Sequence, residues 1–251
     1  MPLPVKLDFY RRELKYLLHY DQYRRISRFL RKKGLKPDNY YKRAPDGNYY
    51  VASLYLDTPD YQAYWQKQAG IINRVKYRLR TYYSHNRQNT PIFWEIKRKF
   101  GDRIKKNRLA LNWQETEQFL ASKTNFCHLA GQCGQTDTLA KFYFNSKRYR
   151  LQPAILISYW RQPWLDPLYP HYSDFRLTFD HDIEAVRTDD LFCSVRQSPV
   201  LADKIIMELK FNGPVPGYIN QTIKFFNLTH QALSKYCLGL ESCGIVSQES
   251  N

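Results

Sequence analysis

The sequence feature that most constrains the fold is a strongly cationic hairpin over residues 91–108, with the sequence PIFWEIKRKFGDRIKKNR. Gly101 and Asp102 are typical of a tight turn between two strands. Side chains alternate along a strand, so Glu95, Lys97 and Lys99 share one face. Like charges that face each other across paired strands destabilise the pair. A hairpin of this composition therefore predicts an anion bound among its cations.

A second basic strand is predicted over residues 72–83, IINRVKYRLRTY. Its basic residues alternate with Val75, Tyr77 and Leu79, which gives one apolar and one wholly cationic face. The cationic face consists of Arg74, Lys76, Arg78 and Arg80. No acid lies between these cations, which argues against an ordinary solvated surface.

The composition of the whole chain supports a polyanionic partner. The sequence has 39 Lys and Arg against 23 Asp and Glu, for a formal charge of +16. Such an excess favours nucleic acid, anionic lipid or phosphate chains. The five Cys and six His form none of the common zinc spacings, and none lies in a recognisable nucleophile motif. With no apolar signal or spanning segment, we expect reduced thiols in a cytoplasmic protein, which could lie at the inner face of a membrane.

The pattern predicts a single domain over residues 1–251, with a core at about 10–240. The predicted strands cover residues 10–18, 49–57, 72–83, the two arms of the hairpin, 153–161, 175–180 and 204–211. Helices are predicted over 19–33, from Thr58 and Pro59 onwards, and over 112–121, 136–150, 218–226 and 229–238. Residues 164–173 are predicted to be a proline-rich turn.

Most of these strands carry a charged face opposite an apolar or aromatic face. An open sheet with one solvated side would satisfy this pattern. A closed antiparallel β-barrel would also satisfy it, with the charged faces inward and helices outside. Buried cations are costly unless an anion and water accompany them, so the barrel predicts a ligand. The ligand we expect is a polyphosphate chain or a nucleoside triphosphate.

Nine short segments in order resemble one known family, the VTC domain of the vacuolar transporter chaperone type. The segments are RELKY at 12–16, SLYLDT at 53–58, KYRLR at 76–80, EIKRK at 95–99, KNR at 106–108, SYWR at 158–161, RLTFD at 176–180, MELKF at 207–211 and LSKY at 233–236. Other branches of the triphosphate tunnel metalloenzymes begin with Glu-x-Glu-x-Lys. Here Arg11 replaces the first acid before Glu13 and Lys15, which resembles the VTC branch more closely.

The resemblance implies an α+β fold: a closed antiparallel β-barrel tunnel of about eight strands, with helices packed outside and a C-terminal capping helix. It implies a polyphosphate polymerase that transfers the terminal phosphate of ATP to a growing polyphosphate chain. It also implies a divalent metal, Mn²⁺ or Mg²⁺, as cofactor. The expected partners are ATP or another nucleoside triphosphate and inorganic polyphosphate, without specific nucleic acid; a membrane protein could be a further partner.

The resemblance also assigns roles to individual residues. Glu208 would be the metal ligand, and Lys235 would cap the tunnel near the reacting phosphate. Arg78, Arg80 and Lys97 would act with Lys235 in catalysis. The full predicted phosphate-binding set, to which the cationic faces add Lys76 and Arg108, is Lys15, Lys76, Arg78, Arg80, Lys97, Lys106, Arg108, Arg161 and Arg176. From its spacing alone, Glu95 is better explained as a structural partner of Lys97 or Arg108 than as a ligand.

Three alternatives stay open from the sequence. The first is a triphosphatase or short-chain polyphosphatase in the same tunnel, and the second is a polyphosphate- or nucleotide-binding module without turnover. The third is a nucleic-acid binder. The strand aromatics Tyr77, Trp94 and Trp160 have the opposite parity to the predicted lining, which favours packing over base stacking.

Overall fold

The computed structural model of the chain describes residues 9–37, 47–82, 90–121, 136–166, 175–195 and 197–247. Its strands are β1 Phe9–His19, β2 Lys36–Pro37, β3 Tyr49–Asp57, β4 Asn73–Thr81, β5 Ile92–Phe100, β6 Arg103–Leu111, β7 Gln152–Leu165, β8 Arg176–Val186, β9 Ser198–Pro199 and β10 Lys204–Phe211. The helices of the described residues are α1 Tyr20–Lys32, α2 Gln62–Gln68, α3 Trp113–Leu120, α4 Thr136–Arg148, α5 Gly217–Phe225 and α6 Lys235–Ser242.

Eight of the strands close on themselves through antiparallel pairings. Around the ring the order is β1, β6, β5, β4, β3, β7, β8 and β10, and β10 pairs again with β1. The short strands β2 and β9 add to β7 and β8. This ring confirms the predicted antiparallel strands and their closure, and it rules out an open sheet with one solvated face.

Helices cover the outer face of the ring in two places. Trp94 of β5 contacts Phe119 of α3 and Phe142 of α4, with ring centroids 4.2 and 5.0 Å apart. On the opposite part of the ring, Ile26 of α1 and Ile219 of α5 belong to the second apolar cluster. The alternation of the strands thus buries their apolar face outward, beneath helices, and turns the charged face inward.

The third apolar cluster lies inside the ring and reaches the end where β3 stops and α2 follows. Tyr236, Cys237 and Leu240 of α6 pack there against Ile155 and other interior side chains of the strands. Gly239 permits this close approach, because a Cβ at this position would lie 2.2 Å from Cδ1 of Ile157. The helix therefore fills one end of the ring, as the capping helix of the sequence prediction would.

Side-chain contacts with α2 and β3 hold α6 in place. Tyr236 donates a hydrogen bond to the buried carboxylate of Asp57, and the Tyr64 hydroxyl donates to Glu241 Oε1 at 3.0 Å. Gln68 Nε2 donates to the same oxygen at 2.8 Å.

Two predicted helix boundaries are wrong for identifiable reasons. The helix expected from Thr58 and Pro59 starts at Gln62, because Asp57 and Thr58 accept from the backbone N–H groups of the following turn. The helix expected over 229–238 starts at Lys235 and runs to Ser242. Before it, His230 bridges to Tyr16 and residues 231–234 are not helical.

Strands β7 and β8 are longer than the sequence suggests. β7 continues to Leu165, so the first residues of the predicted proline-rich turn are strand, while residues 167–174 lie outside the described residues. β8 continues to Val186 through a change of register beside Trp160, and Asp182 has a positive φ of 47° there. The extra residue at such a bulge changes the parity of the strand. It therefore lets Asp180 and Ile183 both face inward.

Among the helices of the described residues, none has both the length and the apolar character needed to cross a membrane.

Candidate functional site

The register of β4, β5 and β6 arranges the interior cations in rows. Lys76 pairs with Lys97, and Lys97 pairs with Lys106, so three ammonium groups lie side by side on adjacent strands. Glu13 of β1 partly balances this row, with its Oε2 atom 2.8 Å from Nζ of Lys97. Such a ladder of like charges is unfavourable by itself and favours a bound anion.

The next row centres on Glu95, which is fully buried. Its Oε2 atom accepts from Nε of Arg78 at 2.6 Å, and its Oε1 atom accepts from Nε of Arg108 at 2.6 Å. Nζ of Lys106 is 2.5 Å from Oε1. Burial alone would raise the pKa of Glu95, but these cations hold it well below its usual value. Glu95 is therefore an ionised partner of three cations, and its predicted pairing with Arg108 is confirmed.

A second buried carboxylate, Asp180, joins β7, β8 and α6. Arg161 binds it with two hydrogen bonds, from Nε to Oδ1 at 2.6 Å and from Nη2 to Oδ2 at 2.8 Å. Lys235, the first residue of α6, donates to Oδ2 at 2.5 Å. Burial would raise the pKa of Asp180, but Arg161 and Lys235 lower it to about 2. The Lys235 ammonium is thus held inside the ring.

Glu208 on β10 lies beside this ion pair. Its Oε2 atom is 3.1 Å from Nη2 of Arg161 and 3.2 Å from Nζ of Lys210. Burial would raise the pKa of Glu208, but Lys210, Lys15 and Arg161 keep it well below its usual value. Because strand register places Lys15 opposite Glu208 and Glu13 opposite Lys210, the two glutamates lie diagonally on the same interior face.

Lys15 and Lys76 contact the segment that leads into α6. Nζ of Lys15 donates to the carbonyl oxygen of Leu233 at 3.0 Å, and Nζ of Lys76 donates to Oγ of Ser234 at 2.8 Å. Burial is the main cause that lowers the pKa of Lys15 to about 8, with Glu208 opposing it. These ammonium groups are held by neutral acceptors, which compete less strongly for a cation than carboxylate or phosphate oxygens do.

Arg80 is buried and forms no ion pair with any carboxylate of the described residues. Its Nε atom donates to Oγ of Ser53 at 2.9 Å. The neighbouring Arg78 donates from Nη1 to the hydroxyl of Tyr55 at 3.1 Å. Burial would raise the pKa of Tyr55, but Arg78, Arg80 and Lys76 lower it to about 7. A phenol that loses its proton so readily indicates strong positive potential in this part of the interior.

The structure thus brings most of the predicted lining together inside the ring. The predicted residues that share this interior are Lys15, Lys76, Arg78, Arg80, Lys97, Lys106, Arg108, Arg161, Glu208 and Lys235. Arg176 differs: it is the first residue of β8, pairs with Lys210 in register and is exposed. The roles assigned to all these residues remain predictions.

Sequence analysis missed Asp180 and Lys210 as members of this site. Asp180 holds both Arg161 and Lys235, and Lys210 contacts Glu208. The parity of the strands already placed Lys210 with Glu208, so this contact could have been found. The partners of Asp180 could not, because they come from distant segments and depend on ring closure.

The carboxylates in the ring fit a divalent cation only together with a substrate. Among the described residues, no group of three or more His, Cys, Asp or Glu side chains is arranged to hold a metal. Mg²⁺ and similar hard cations commonly use one or two carboxylates and complete their shell with phosphate oxygens and water. Glu208 and Glu13 supply oxygens of this type from one face. They suit a metal that arrives with a phosphate chain.

Comparison with known proteins identifies the family of this chain. The family model of the VTC domain matches residues 10–243, and the chain belongs to this family. No curated protein sequence matches the chain significantly.

Several solved structures are similar in fold. A proposed adenylate cyclase from Bacillus halodurans is 12% identical, with a TM-score of 0.47, over 90% of this chain and 95% of that chain. A proposed adenylyl cyclase from Hippeastrum with a dominant triphosphatase activity is 10% identical, with a TM-score of 0.49, over 91% of this chain and 93% of that chain. The PH1819 protein from Pyrococcus horikoshii is 9% identical, with a TM-score of 0.45, over 92% of this chain and 98% of that chain. At this level of similarity they carry no functional conclusion.

Proposed function

We propose that this protein is a polyphosphate polymerase that transfers the terminal phosphate of ATP to a growing polyphosphate chain inside the ring. The observation that carries this proposal is the excess of enclosed cations over the carboxylates that contact them. Lys15, Lys76 and Arg80 have neutral hydrogen-bond acceptors, so they can bind phosphate without breaking a buried ion pair. Membership of the VTC domain family supports the same chemistry.

Phosphoryl transfer needs charge neutralisation and alignment more than covalent help from the protein. Arg80 and Arg78 would neutralise neighbouring phosphates, and guanidinium groups can bind them with two hydrogen bonds. Lys97 and Lys106 extend the cationic row along the interior. Lys235 is positioned by Asp180 and is the candidate to stabilise charge near the transferred phosphate.

A divalent ion, Mn²⁺ or Mg²⁺, would be held by Glu208, with Glu13 as the neighbouring carboxylate. When bound, it would neutralise charge on the phosphate oxygens and so make the phosphorus atom that they surround a better electrophile. Around it, Arg161 and Lys210 keep Glu208 ionised.

Incubation of the purified chain with ATP and Mn²⁺ tests the proposal. We expect ADP release and a ladder of lengthening chains on a polyphosphate gel. Arg80→Ala should abolish most of the product, while Arg28→Ala, which removes the same charge from the exposed face of α1, should not. Absence of chain growth in a folded, metal-loaded protein would refute the polymerase.

The same assay separates the two alternative activities. Phosphate release from tripolyphosphate without chain growth would identify a triphosphatase or short-chain polyphosphatase. Tight, salt-sensitive binding of tripolyphosphate without any product would identify a binding module. Cytoplasmic location and a membrane-protein partner remain predictions that fractionation and affinity purification would test.

A further inference from the structure

A row of partly exposed aromatic rings lies at one end of the strand ring. Tyr49 is the first residue of β3, Tyr82 directly follows β4, and Phe93 is the second residue of β5. Tyr49 and Tyr82 have ring centroids 5.8 Å apart, and Tyr82 and Phe93 are 5.5 Å apart. Since β3 and β5 begin at this end and β4 finishes there, the row is at the end opposite the α6-filled one.

These three rings directly adjoin the interior arginines. The Arg108 guanidinium lies 4.4 Å from the Phe93 ring and 5.5 Å from the Tyr82 ring, and it donates to the Tyr82 hydroxyl. Strand register places Arg80 opposite Phe93 and Arg161 opposite Tyr49. A phosphate chain among the arginines would therefore end beside a row of aromatic faces.

Ordinary core packing does not explain the position of Phe93. Its ring faces the charged interior, on the same face as Glu95, and it belongs to none of the three apolar clusters of the described residues, whereas Tyr49 and Tyr82 pack against the third. By contrast, Tyr50 lies on the outer face of β3, where it contacts Trp160 with centroids 5.4 Å apart and packs on the first cluster.

We propose that Tyr49, Tyr82 and Phe93 form a stacking site for the base of a nucleoside triphosphate whose phosphates occupy the cationic interior. The inference rests on the proposed function and specifies its phosphate donor: a nucleotide is selected over tripolyphosphate. Aromatic side chains stack on bases with little dependence on base identity, because every base has a π face. The larger purines should gain more from the row than pyrimidines do.

The test compares two ligands that differ only by the nucleoside. Binding of ATP and of tripolyphosphate is measured by calorimetry, without metal, for the unmodified protein, Phe93→Leu and Tyr50→Leu. We expect Phe93→Leu to weaken ATP binding about tenfold, within the usual range for loss of one stacked base. It should leave tripolyphosphate binding unchanged. Tyr50→Leu, which removes an aromatic ring from the outer face, should change the binding of neither ATP nor tripolyphosphate.

The outcomes separate this inference from the proposed function. If Phe93→Leu weakens both ligands equally, or neither, the base site is refuted even if the unmodified protein makes polyphosphate from ATP. If Phe93→Leu selectively weakens ATP binding but the unmodified protein makes no polyphosphate, the base site is supported and the polymerase activity is refuted. If the unmodified protein binds tripolyphosphate at least as tightly as ATP, the base site is also refuted.

Discussion

The substitution Glu95→Gln would test whether Glu95 is the counterion that stabilises the interior cations before a phosphate chain binds. Glu95 is fully buried and contacts Arg78, Lys106 and Arg108 at 2.5–2.6 Å. Glutamine keeps the size of the side chain and removes its charge. Three enclosed cations would then lose their common counterion.

The expected cost follows from the burial of this network. Removing one partner of a buried ion pair typically costs about 3–5 kcal/mol, because the remaining charge is uncompensated. For a chain of this size, each kcal/mol lowers Tm by about 2–4 °C, so we expect a fall of about 6–20 °C. Tripolyphosphate should restore more stability to the variant than to the unmodified protein, because it returns negative charge to the same cations.

Thermal melts with and without tripolyphosphate would measure both effects. Glu117→Gln, at an exposed position on α3, is the matched control: it removes one carboxylate and should move Tm by little. A Tm of Glu95→Gln within about 2 °C of the unmodified protein, or an equal ligand-induced rise in both, would refute the reasoning.

Three further predictions follow from the same interior. Arg80→Ala should weaken tripolyphosphate binding in calorimetry at least tenfold, the usual scale for a charge-assisted contact, with little loss of Tm because Arg80 donates to the Ser53 hydroxyl and forms no close ion pair with a carboxylate of the described residues. Ultraviolet titration should detect one phenolate forming near pH 7 that is absent in Tyr55→Phe, and tripolyphosphate should raise the pKa of Tyr55. Because folding lowers this pKa from 10.0, the ionised Tyr55 contributes to the stability of the folded state. That contribution is complete above pH 10 and falls as the pH falls toward 7. Glu208→Gln should lower turnover with Mn²⁺ much more than metal-free tripolyphosphate affinity, and an equal loss in both would contradict its role as a metal ligand.

The sequence was sufficient for the strand pattern and the direction of the charged faces. The apolar runs at residues 204–211 and 49–57, which are rich in β-branched and aromatic residues, predicted both strands with their observed bounds. The hairpin turn at Gly101, which has a φ of +58°, also follows from local chemistry. These features depend on period and turn residues, which are local properties of the chain.

Side-chain contacts between residues that lie far apart in the sequence could not be predicted from these local properties. Asp180 looked like one polar residue of a short strand, yet it joins Arg161 and Lys235 from segments that meet only after the ring closes. The start of α6 was also misplaced: residues before Lys235 have adequate helical pattern, but Gln231 N donates to the carbonyl oxygen of Lys15 in an extended contact. Tertiary pairing overrides local preference at both places.

The internal ion pairs explain how such a cationic interior can fold before any ligand binds. Glu95 and Asp180 are fully buried, and each neutralises cations from at least two separate elements. Fixed carboxylates can stabilise the arginines without filling every position, so Arg80, Lys15 and Lys76 keep neutral acceptors that a phosphate chain can replace. Binding would then exchange hydrogen bonds to neutral acceptors for ion pairs with phosphate while the buried pairs persist. A site organised in this way gains affinity from the cations that the fold leaves incompletely neutralised, which is why Arg80 and Glu95 should respond to substitution in opposite ways.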